Sequence, residues 1–148
     1  MTTSFINKIV EVLKVEEGSK VIGGKHIAYQ DHLGYWTLGY GRLIDPSKIG
    51  AGISEQEAEI FLINDINNCI EECQRNFSWF HISPERVKEG LIYMCFQLGL
   101  PTLKKFKKCL LALEQENYEE AANQCLDSAW AKQTPRRADI VARLFRGE

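Results

Sequence analysis

The amino-terminal segment has the spacing of an amphipathic helix. Its apolar residues recur at intervals of three and four positions: Phe5, Ile6, Ile9, Val10 and Leu13. This period places the five side chains along one face of an α-helix. We therefore predict an N-terminal helix over residues 1–13.

The pattern changes between Lys20 and Ile44, where glycine, aromatic and β-branched residues become frequent. Two turn signals divide this stretch, Gly23-Gly24 and the segment 31–34. Turns of this kind between short β-prone runs are typical of antiparallel hairpins. The pattern predicts a small antiparallel sheet lobe over residues 14–53.

The remainder of the chain carries helical signals. Ser54-x-x-Glu57 is a capping box that opens a long helix, predicted at residues 54–76. Ser83 followed by Pro84 indicates a cap with proline at the first helical position, and Gly99 marks the end of that helix. The fold class predicted is α+β and mainly helical: a sheet lobe, a long connecting helix and a helical lobe over residues 77–148, in one domain.

Composition limits the classes of function. The chain has 148 residues, of which 45% are hydrophobic and 26% charged, as expected of one globular domain. Eighteen basic residues against twenty acidic ones give a net charge of −2, which is too balanced for a nucleic-acid binder. We expect a monomer without a nucleic-acid partner. The lysine run at residues 104–108 indicates a solvated helix face or, alternatively, a surface attracted to an anionic polymer.

Location and cofactors are also constrained. The amino terminus does not read as a signal peptide, and no window approaches the ~18 apolar residues that a membrane span needs. We expect synthesis in the cytoplasm and no membrane insertion. The five cysteines are an odd number, which favours reduced thiols. No Cys or His pairs stand at zinc-finger spacing, so we expect no metal and no cofactor.

The candidate chemistry lies where the first helix gives way to the sheet segment. Glu16 and Glu17 end the helix, Asp31 stands at a turn, and Thr37 follows on the next strand. Taken singly, such residues are usually solvated or bonded to nearby backbone. Taken together, two carboxylates can flank one glycosidic bond. One would donate a proton while the other stays ionised, and the Thr37 hydroxyl could hold a water molecule.

The motifs around these residues resemble those of a known family. Glu17-Gly18 and the run Tyr29–Arg42 are similar to the signature of the phage-type lysozymes, glycoside hydrolase family 24, which includes the T-even phage lysozyme. The segments Met94–Gly99 and Trp130–Ala138 resemble further motifs of the family in the same order. The resemblance spans nearly the whole chain.

The resemblance implies a lysozyme-like two-lobed fold and an endolysin. Such a muramidase hydrolyses the β-1,4 bond between N-acetylmuramic acid and N-acetylglucosamine in peptidoglycan glycan strands, which lyses the host cell. The family's catalytic residues fall on Glu17, Asp31 and Thr37, with Glu17 rather than Glu16 as the acid, and we expect inversion at the anomeric carbon. Without a signal peptide, the protein would reach the periplasm through a holin-type lesion.

The resemblance also assigns residues around the catalytic three. Leu43 and Phe96 match sugar-contacting positions. The expected supporting residues are Arg137, Arg42, Asp65, Gln97 and Trp130. Arg137 matches an arginine close to the catalytic glutamate. Asp65 matches an aspartate paired with a basic residue after the Gly-x-Gly turn, so we expect a bidentate Arg42–Asp65 pair.

The sequence departs from the family in two places. Thirteen residues separate Glu17 from Asp31, more than in the T-even enzyme, and they include Gly23, Gly24 and His26. We predict a longer hairpin there. Cys109 and Gln124 stand at positions where the T-even enzyme has small polar sugar contacts, so those contacts do not transfer. Three tryptophans are expected to pack and two histidines to be exposed: Trp36, Trp79, Trp130, His32 and His81.

Two alternatives stay open. A lytic transglycosylase uses one catalytic carboxyl and no water, and Asp31 and Thr37 beside Glu17 favour hydrolysis over it. A wall-binding protein without catalysis could be built on the same scaffold. It would be expected to lack one of the three catalytic residues.

Overall fold

A computed structural model describes residues 2–148 and confirms a mainly helical α+β chain with small antiparallel sheets. The helices are α1 Thr3–Glu17, α2 Glu55–Asn76, α3 Glu85–Leu98, α4 Leu100–Leu103, α5 Lys107–Glu114, α6 Tyr118–Leu126, α7 Ala129–Gln133 and α8 Pro135–Arg146. The strands are β1 Val21–Ile22, β2 Lys25–His26, β3 Tyr29–Gln30, β4 Trp36–Leu38 and β5 Arg42–Leu43. The chain divides into two units, Met1–Ala58 (unit 1) and Glu59–Glu148 (unit 2).

Helix α1 is longer than the segment 1–13 predicted for it. It begins after Thr2, whose hydroxyl accepts the backbone N–H of Phe5 at 3.3 Å. It continues to Glu17 because lysine and glutamate are good helix formers, and it ends at Gly18, whose φ is +61°. Glu17 is therefore the last residue of the helix.

The sheet segment forms two sheets rather than the single one predicted. Strands β1 and β2 pair around Gly23 and Gly24, which both have positive φ, as a tight hairpin turn requires. The N–H of Ile27 donates to the carbonyl of Lys20 at 2.9 Å and closes this hairpin. Strands β3, β4 and β5 then form a separate antiparallel sheet in that order.

The capping box of α2 is confirmed. The N–H of Ser54 donates to Glu57 Oε1 at 2.9 Å, and the N–H of Glu57 donates to Ser54 Oγ at 3.2 Å. The predicted bounds of this helix, 54–76, agree closely with Glu55–Asn76. Its first turn lies in unit 1 and the remainder in unit 2.

Unit 2 contains the hydrophobic core. Its fully buried side chains come mainly from α3, α5 and α8: Val87, Leu91, Met94, Cys95, Cys109, Leu113, Val141 and Phe145. Gly90 is where α3 meets α8, because a Cβ at this position would lie 2.6 Å from Phe145 Cε1. Gly99 ends α3 as predicted, with φ +77°.

The predicted cap of α3 is wrong. Pro84, not Ser83, is the capping residue, and it makes no side-chain hydrogen bond to the helix. The hydroxyl of Ser83 instead donates to the carbonyl of Trp79 at 2.9 Å, which ties it to the preceding turn.

All five cysteines are unpaired and buried, and all lie in unit 2: Cys69, Cys73, Cys95, Cys109 and Cys125. Burial raises the pKa of the Cys73 thiol to about 11 and of the Cys109 and Cys125 thiols to about 12. Across residues 2–148, no three His, Cys, Asp or Glu side chains cluster in a way that could hold a metal ion. None of the described helices combines the length and apolar character needed to cross a membrane.

Candidate active site

Glu17 lies at the C-terminal end of α1 with its side chain exposed. Its carboxylate packs against the turn before β5, because a Cβ built on Gly41 would lie 2.9 Å from Glu17 Oε2. Gly41 also has a φ of +84°, which side chains rarely adopt. Only glycine meets both conditions, so the turn fits the carboxylate closely.

Asp31 follows β3 and organises the turn that leads to β4. Its Oδ1 accepts the backbone N–H groups of Leu33 and Tyr35, each at 2.9 Å. Its own N–H donates to the carbonyl of Tyr35, also at 2.9 Å. These bonds fix the side chain, while Oδ2 accepts no hydrogen bond from residues 2–148 and is available for chemistry.

Thr37 is 5% exposed, and it is the only polar or charged residue that is buried in the described chain, residues 2–148. It lies on β4 opposite Tyr29 of β3 and Leu43 of β5. Its hydroxyl donates to the carbonyl of Tyr35 at 3.2 Å, which leaves the oxygen lone pairs as acceptors.

Asp31 and Thr37 lie close together on the β3–β4 pair. Asp31 directly follows β3 and donates its N–H to the carbonyl of Tyr35, and Thr37 is two residues further along the partner strand. Asp31 is therefore one register position beyond the end of β3 and diagonal to Thr37. Such neighbours lie about 7–8 Å apart. The sheet therefore brings together two of the predicted catalytic residues, with Leu43 beside Thr37.

Arg42 binds a different carboxylate from the one predicted. The Arg42 guanidinium makes a bidentate pair with Glu57, with Nη1 at 2.7 Å from Oε1 and Nη2 at 2.6 Å from Oε2. Arg42 also donates to the carbonyl of Gly52 at 3.0 Å. The bidentate geometry expected for Arg42 is found, with Glu57 in the place expected for Asp65. Hydrogen bonding to Arg42, followed by that to Ser54, lowers the pKa of Glu57 from its usual 4.5 to about 2.

Four of the predicted residues gather in unit 2. Phe96, Gln97, Trp130 and Arg137 line one cavity of about 870 Å³. The amide of Gln97 donates to Thr134 Oγ1 at 3.4 Å. Gln97 Oε1 and Trp130 Nε1 are buried without a hydrogen-bond partner among residues 2–148.

The remaining predicted residues of unit 2 lie elsewhere. Asp65 is exposed on α2, and Cys109 is 2% exposed inside the core. Gln124 donates to Glu120 Oε1 at 2.7 Å. Cys109 and Gln124 line a second cavity of about 590 Å³, together with Lys105, Lys107 and Lys108 of the lysine run.

The aromatic and histidine expectations have mixed outcomes. Trp130 is 6% exposed and meets Phe106 edge to face, with ring centroids 6.3 Å apart. Trp79 packs against the core as expected, whereas Trp36 is 46% exposed. His32 and His81 are exposed, as expected.

A sequence profile described as phage lysozyme matches residues 19–144. The chain belongs to the phage lysozyme family. It is therefore a lysozyme-type cell-wall hydrolase. Asp31 and Thr37 fall within the matched range, whereas Glu17 precedes it by two residues. The case for Glu17 consequently depends on its position at the end of α1 and its contact with Gly41.

Similar proteins come from different organisms. The chain is 28% identical to "Probable T4-type lysozyme 2" of Dictyostelium discoideum, over 95% of this chain and 94% of that protein. It is 27% identical to "Probable T4-type lysozyme 1" of the same organism, over 92% of each. It is 26% identical to "Peptidoglycan hydrolase gp36" of Pseudomonas phage phiKMV, over 76% of this chain but 13% of that protein.

The sequence does not predict several contacts at the site of this phage lysozyme family member. It indicates Gly41 only as part of the Gly-x-Gly turn and Glu57 only as a helix-capping residue. No sequence pattern predicts the hydrogen bond between Ser19 and His26. The two residues are seven positions apart, in a hairpin whose strand register the sequence does not specify.

Proposed function

We propose that this chain hydrolyses the β-1,4 bond between N-acetylmuramic acid and N-acetylglucosamine in peptidoglycan. The observation that carries the proposal is the arrangement in unit 1: Asp31 and Thr37 lie close together on the β3–β4 pair, and the Glu17 carboxylate lies against Gly41. Family membership supports a lysozyme-type substrate. Leu43, opposite Thr37, supplies an apolar surface suited to a pyranose ring.

Glu17 is the proposed general acid. A protonated carboxyl donates to the leaving glycosidic oxygen as the bond breaks. Glu17 is suited to this role because its carboxylate is exposed and its backbone is held at the end of a fifteen-residue helix. Glu16, which precedes it on the same exposed turn, lies on a different face of the helix because consecutive residues are about 100° apart.

Asp31 and Thr37 are proposed to hold the attacking water. Asp31 Oδ2 and the Thr37 hydroxyl oxygen are acceptors, so a water between them would donate both protons and direct a lone pair at the anomeric carbon. Asp31 would also stabilise the positive charge that develops on the sugar and accept the proton that the water loses as its oxygen bonds to the anomeric carbon. With a water between carboxylate and sugar, the product anomer is inverted.

The proposed setting is phage lysis, with the protein acting as a monomer in the periplasm after holin-dependent release. The similarity to a peptidoglycan hydrolase of a phage supports this setting. Phe96 is proposed as a sugar-contacting residue, and Arg137, Gln97 and Trp130, which line the same cavity, as supporting residues.

The test of function compares Glu17→Gln with Glu16→Gln as the matched control. Removal of the acidic proton should lower the rate of peptidoglycan hydrolysis by at least about a hundredfold, since general acids contribute roughly 10²–10⁴. Glu16→Gln should retain nearly the wild-type rate. The measurement is the clearing of outer-membrane-permeabilised Gram-negative cells, with melting temperatures recorded for each variant.

The control also identifies the acid. Loss of activity in Glu16→Gln with retention in Glu17→Gln would move the assignment by one residue. An inactive wild-type protein would leave a wall-binding role. Mass spectrometry of the released fragments separates hydrolysis, which adds one water, from transglycosylation, which forms an anhydro sugar without it.

The stereochemical prediction is tested by proton NMR of the first product, recorded before mutarotation. Inversion of a β-1,4 bond should release the α-anomer. Thr37→Ala should lower the rate while the product that does form keeps the same configuration, because Asp31 still holds the water. A β-anomer as the initial product would assign a nucleophilic role to a carboxylate.

A further inference from the structure

Three side chains of unit 1 form a cluster next to Glu17. Ser19 Oγ lies 2.6 Å from His26 Nδ1, a hydrogen-bond distance. The ring of His26 meets that of Tyr40 edge to face, with centroids 5.1 Å apart and an interplanar angle of 66°. His26 belongs to β2, in the hairpin that lies between Glu17 and Asp31.

The cluster joins the two backbone segments that place the Glu17 carboxylate. Ser19 is two residues after Glu17 along the chain. Tyr40 directly precedes Gly41, the residue that lies against Glu17 Oε2. Contacts and backbone connections together form a closed ring. The chain joins Glu17 to Ser19 and Tyr40 to Gly41, and side-chain contacts join Ser19 to His26, His26 to Tyr40 and Gly41 to Glu17.

The end of α1 adds a further contact to the ring. The ammonium of Lys14, one helical turn before Glu17, lies 6.0 Å from the centre of the Tyr40 ring. Tyr40 is thus held between the last turn of α1 and the hairpin β1–β2. Lysine near the face of an aromatic ring is attracted to it, weakly at exposed sites.

The cluster is exposed, which limits its contribution to folding. His26 and Tyr40 are both exposed, and no apolar core lies beneath them in unit 1. Solvent competes for hydrogen bonds at such sites, so their net effect on stability is small. Orientation has a larger effect on catalysis, because a displacement of about 1 Å can cost on the order of a hundredfold in rate.

We propose that Ser19, His26 and Tyr40 are positioning residues that hold the Glu17 carboxyl in the place from which it donates its proton. The proposal rests on the proposed function of Glu17 as the general acid. It assigns a role in the reaction to the extra hairpin residues, which the family resemblance does not cover. None of the three need touch the substrate.

The experiment uses Ser19→Ala, His26→Phe and the double variant. His26→Phe keeps a ring beside Tyr40 but removes the hydrogen bond to Ser19. Each single variant should lower kcat on soluble peptidoglycan fragments by roughly tenfold with KM changed less than about twofold. Because both changes break the same bond, the double variant should lose no more than either single variant.

Two further variants separate positioning from structural support. Ser19→Thr keeps the hydroxyl and should retain kcat. His81→Phe makes the same exchange at an exposed histidine of unit 2 and should leave kcat at the wild-type value. The melting temperatures of all variants should lie within about 2 °C of the wild-type value.

Three results would overturn the proposal: wild-type kcat in Ser19→Ala, losses that multiply in the double variant, or losses of kcat that follow the loss of folded protein. A wild-type protein without hydrolytic activity would instead refute the proposed function itself. An active wild type with fully active variants would refute only the positioning role.

Discussion

Individual residues at the site serve structure and chemistry through different atoms. Asp31 uses Oδ1 to fix the turn between β3 and β4, and Oδ2 is available for chemistry. Thr37 uses its proton to bind the carbonyl of Tyr35 and keeps its lone pairs. The turn therefore occupies one oxygen of the Asp31 carboxylate and leaves the other for the role proposed above.

Gly41→Ala is expected to reduce activity more than stability. The new methyl group would approach Glu17 Oε2 to 2.9 Å, and the flexible carboxylate would have to move. The φ of +84° adds about 1 kcal/mol of strain. We expect kcat to fall roughly tenfold to a hundredfold.

Gly39→Ala is the matched control for this prediction. Gly39 also has a positive φ, +63°, but a Cβ there meets nothing within 4 Å. It should show similar strain in thermal melts while kcat stays close to the wild-type value. An equal loss of kcat in both variants would mean that the turn, and not the contact with Glu17, controls the rate.

Sequence motifs indicated the residues that we propose as catalytic, but not the contacts that hold them in place. Asp31 and Thr37 lie within the range that the phage lysozyme profile matches, and Glu17 lies two residues before it. The contact of Gly41 with Glu17 depends on a tertiary approach that a Gly-x-Gly pattern does not specify. The family resemblance indicated Asp65 as the partner of Arg42, whereas Arg42 binds Glu57 in the first turn of the same helix.

At the scale of elements, one carboxylate joins a strand, a loop and a helix. Glu57 caps the first turn of α2 through Ser54, and its side chain also binds Arg42 on β5. Arg42 in turn binds the carbonyl of Gly52 in the loop between them. The start of α2 is thus fixed to the three-stranded sheet that carries Thr37.

Glu57→Gln should destabilise the protein in a pH-dependent way. Glutamine keeps the bond to Ser54 but loses the charge that pairs with Arg42. Since the pKa of Glu57 is lowered to about 2, its stabilising effect is present above the unfolded value of 4.5. It is lost as the pH falls through about 2.

Thermal melts at a series of pH values measure this effect. The variant should melt roughly 2 °C below the wild type at pH 7, and the difference should shrink between pH 4.5 and pH 2. A difference that stays constant over this range would show that the charge of Glu57 is not responsible.

Elements were predicted well where their signals were local. The capping box, the Gly23-Gly24 turn and the stop at Gly99 each depend on a few adjacent residues, and all three are confirmed. The division into two sheets was missed. It depends on where strand pairing stops, which is set by contacts between strands such as that of Ile27 with Lys20.

At the scale of the whole molecule, the two units differ in how they are stabilised. Every buried hydrophobic residue lies in unit 2, and Thr37 is the one buried residue among residues 2–58. The proposed catalytic residues are all in unit 1. The five cysteines are all in unit 2, where burial raises the pKa of each thiol.

The thiols should therefore report the folding of unit 2. At pH 8 we expect the buried thiols of the native protein to react with a disulfide reagent at least about a hundredfold more slowly than a free cysteine, because the thiolate is the reactive form. Denaturant should expose all five. Cys69, which is 8% exposed, should react first. Rapid labelling of several thiols in the native state would contradict the buried core.

The concentration of the core in one unit also predicts how the protein tolerates change over generations. Substitutions in unit 2 should act mainly through the amount of folded protein in the cell, so a second, stabilising substitution elsewhere in that unit could compensate for them. Substitutions at Glu17, Asp31 or Thr37 should act on turnover, which no gain in stability restores. A library of random variants should accordingly separate into suppressible changes in unit 2 and irreversible ones confined to a few positions of unit 1.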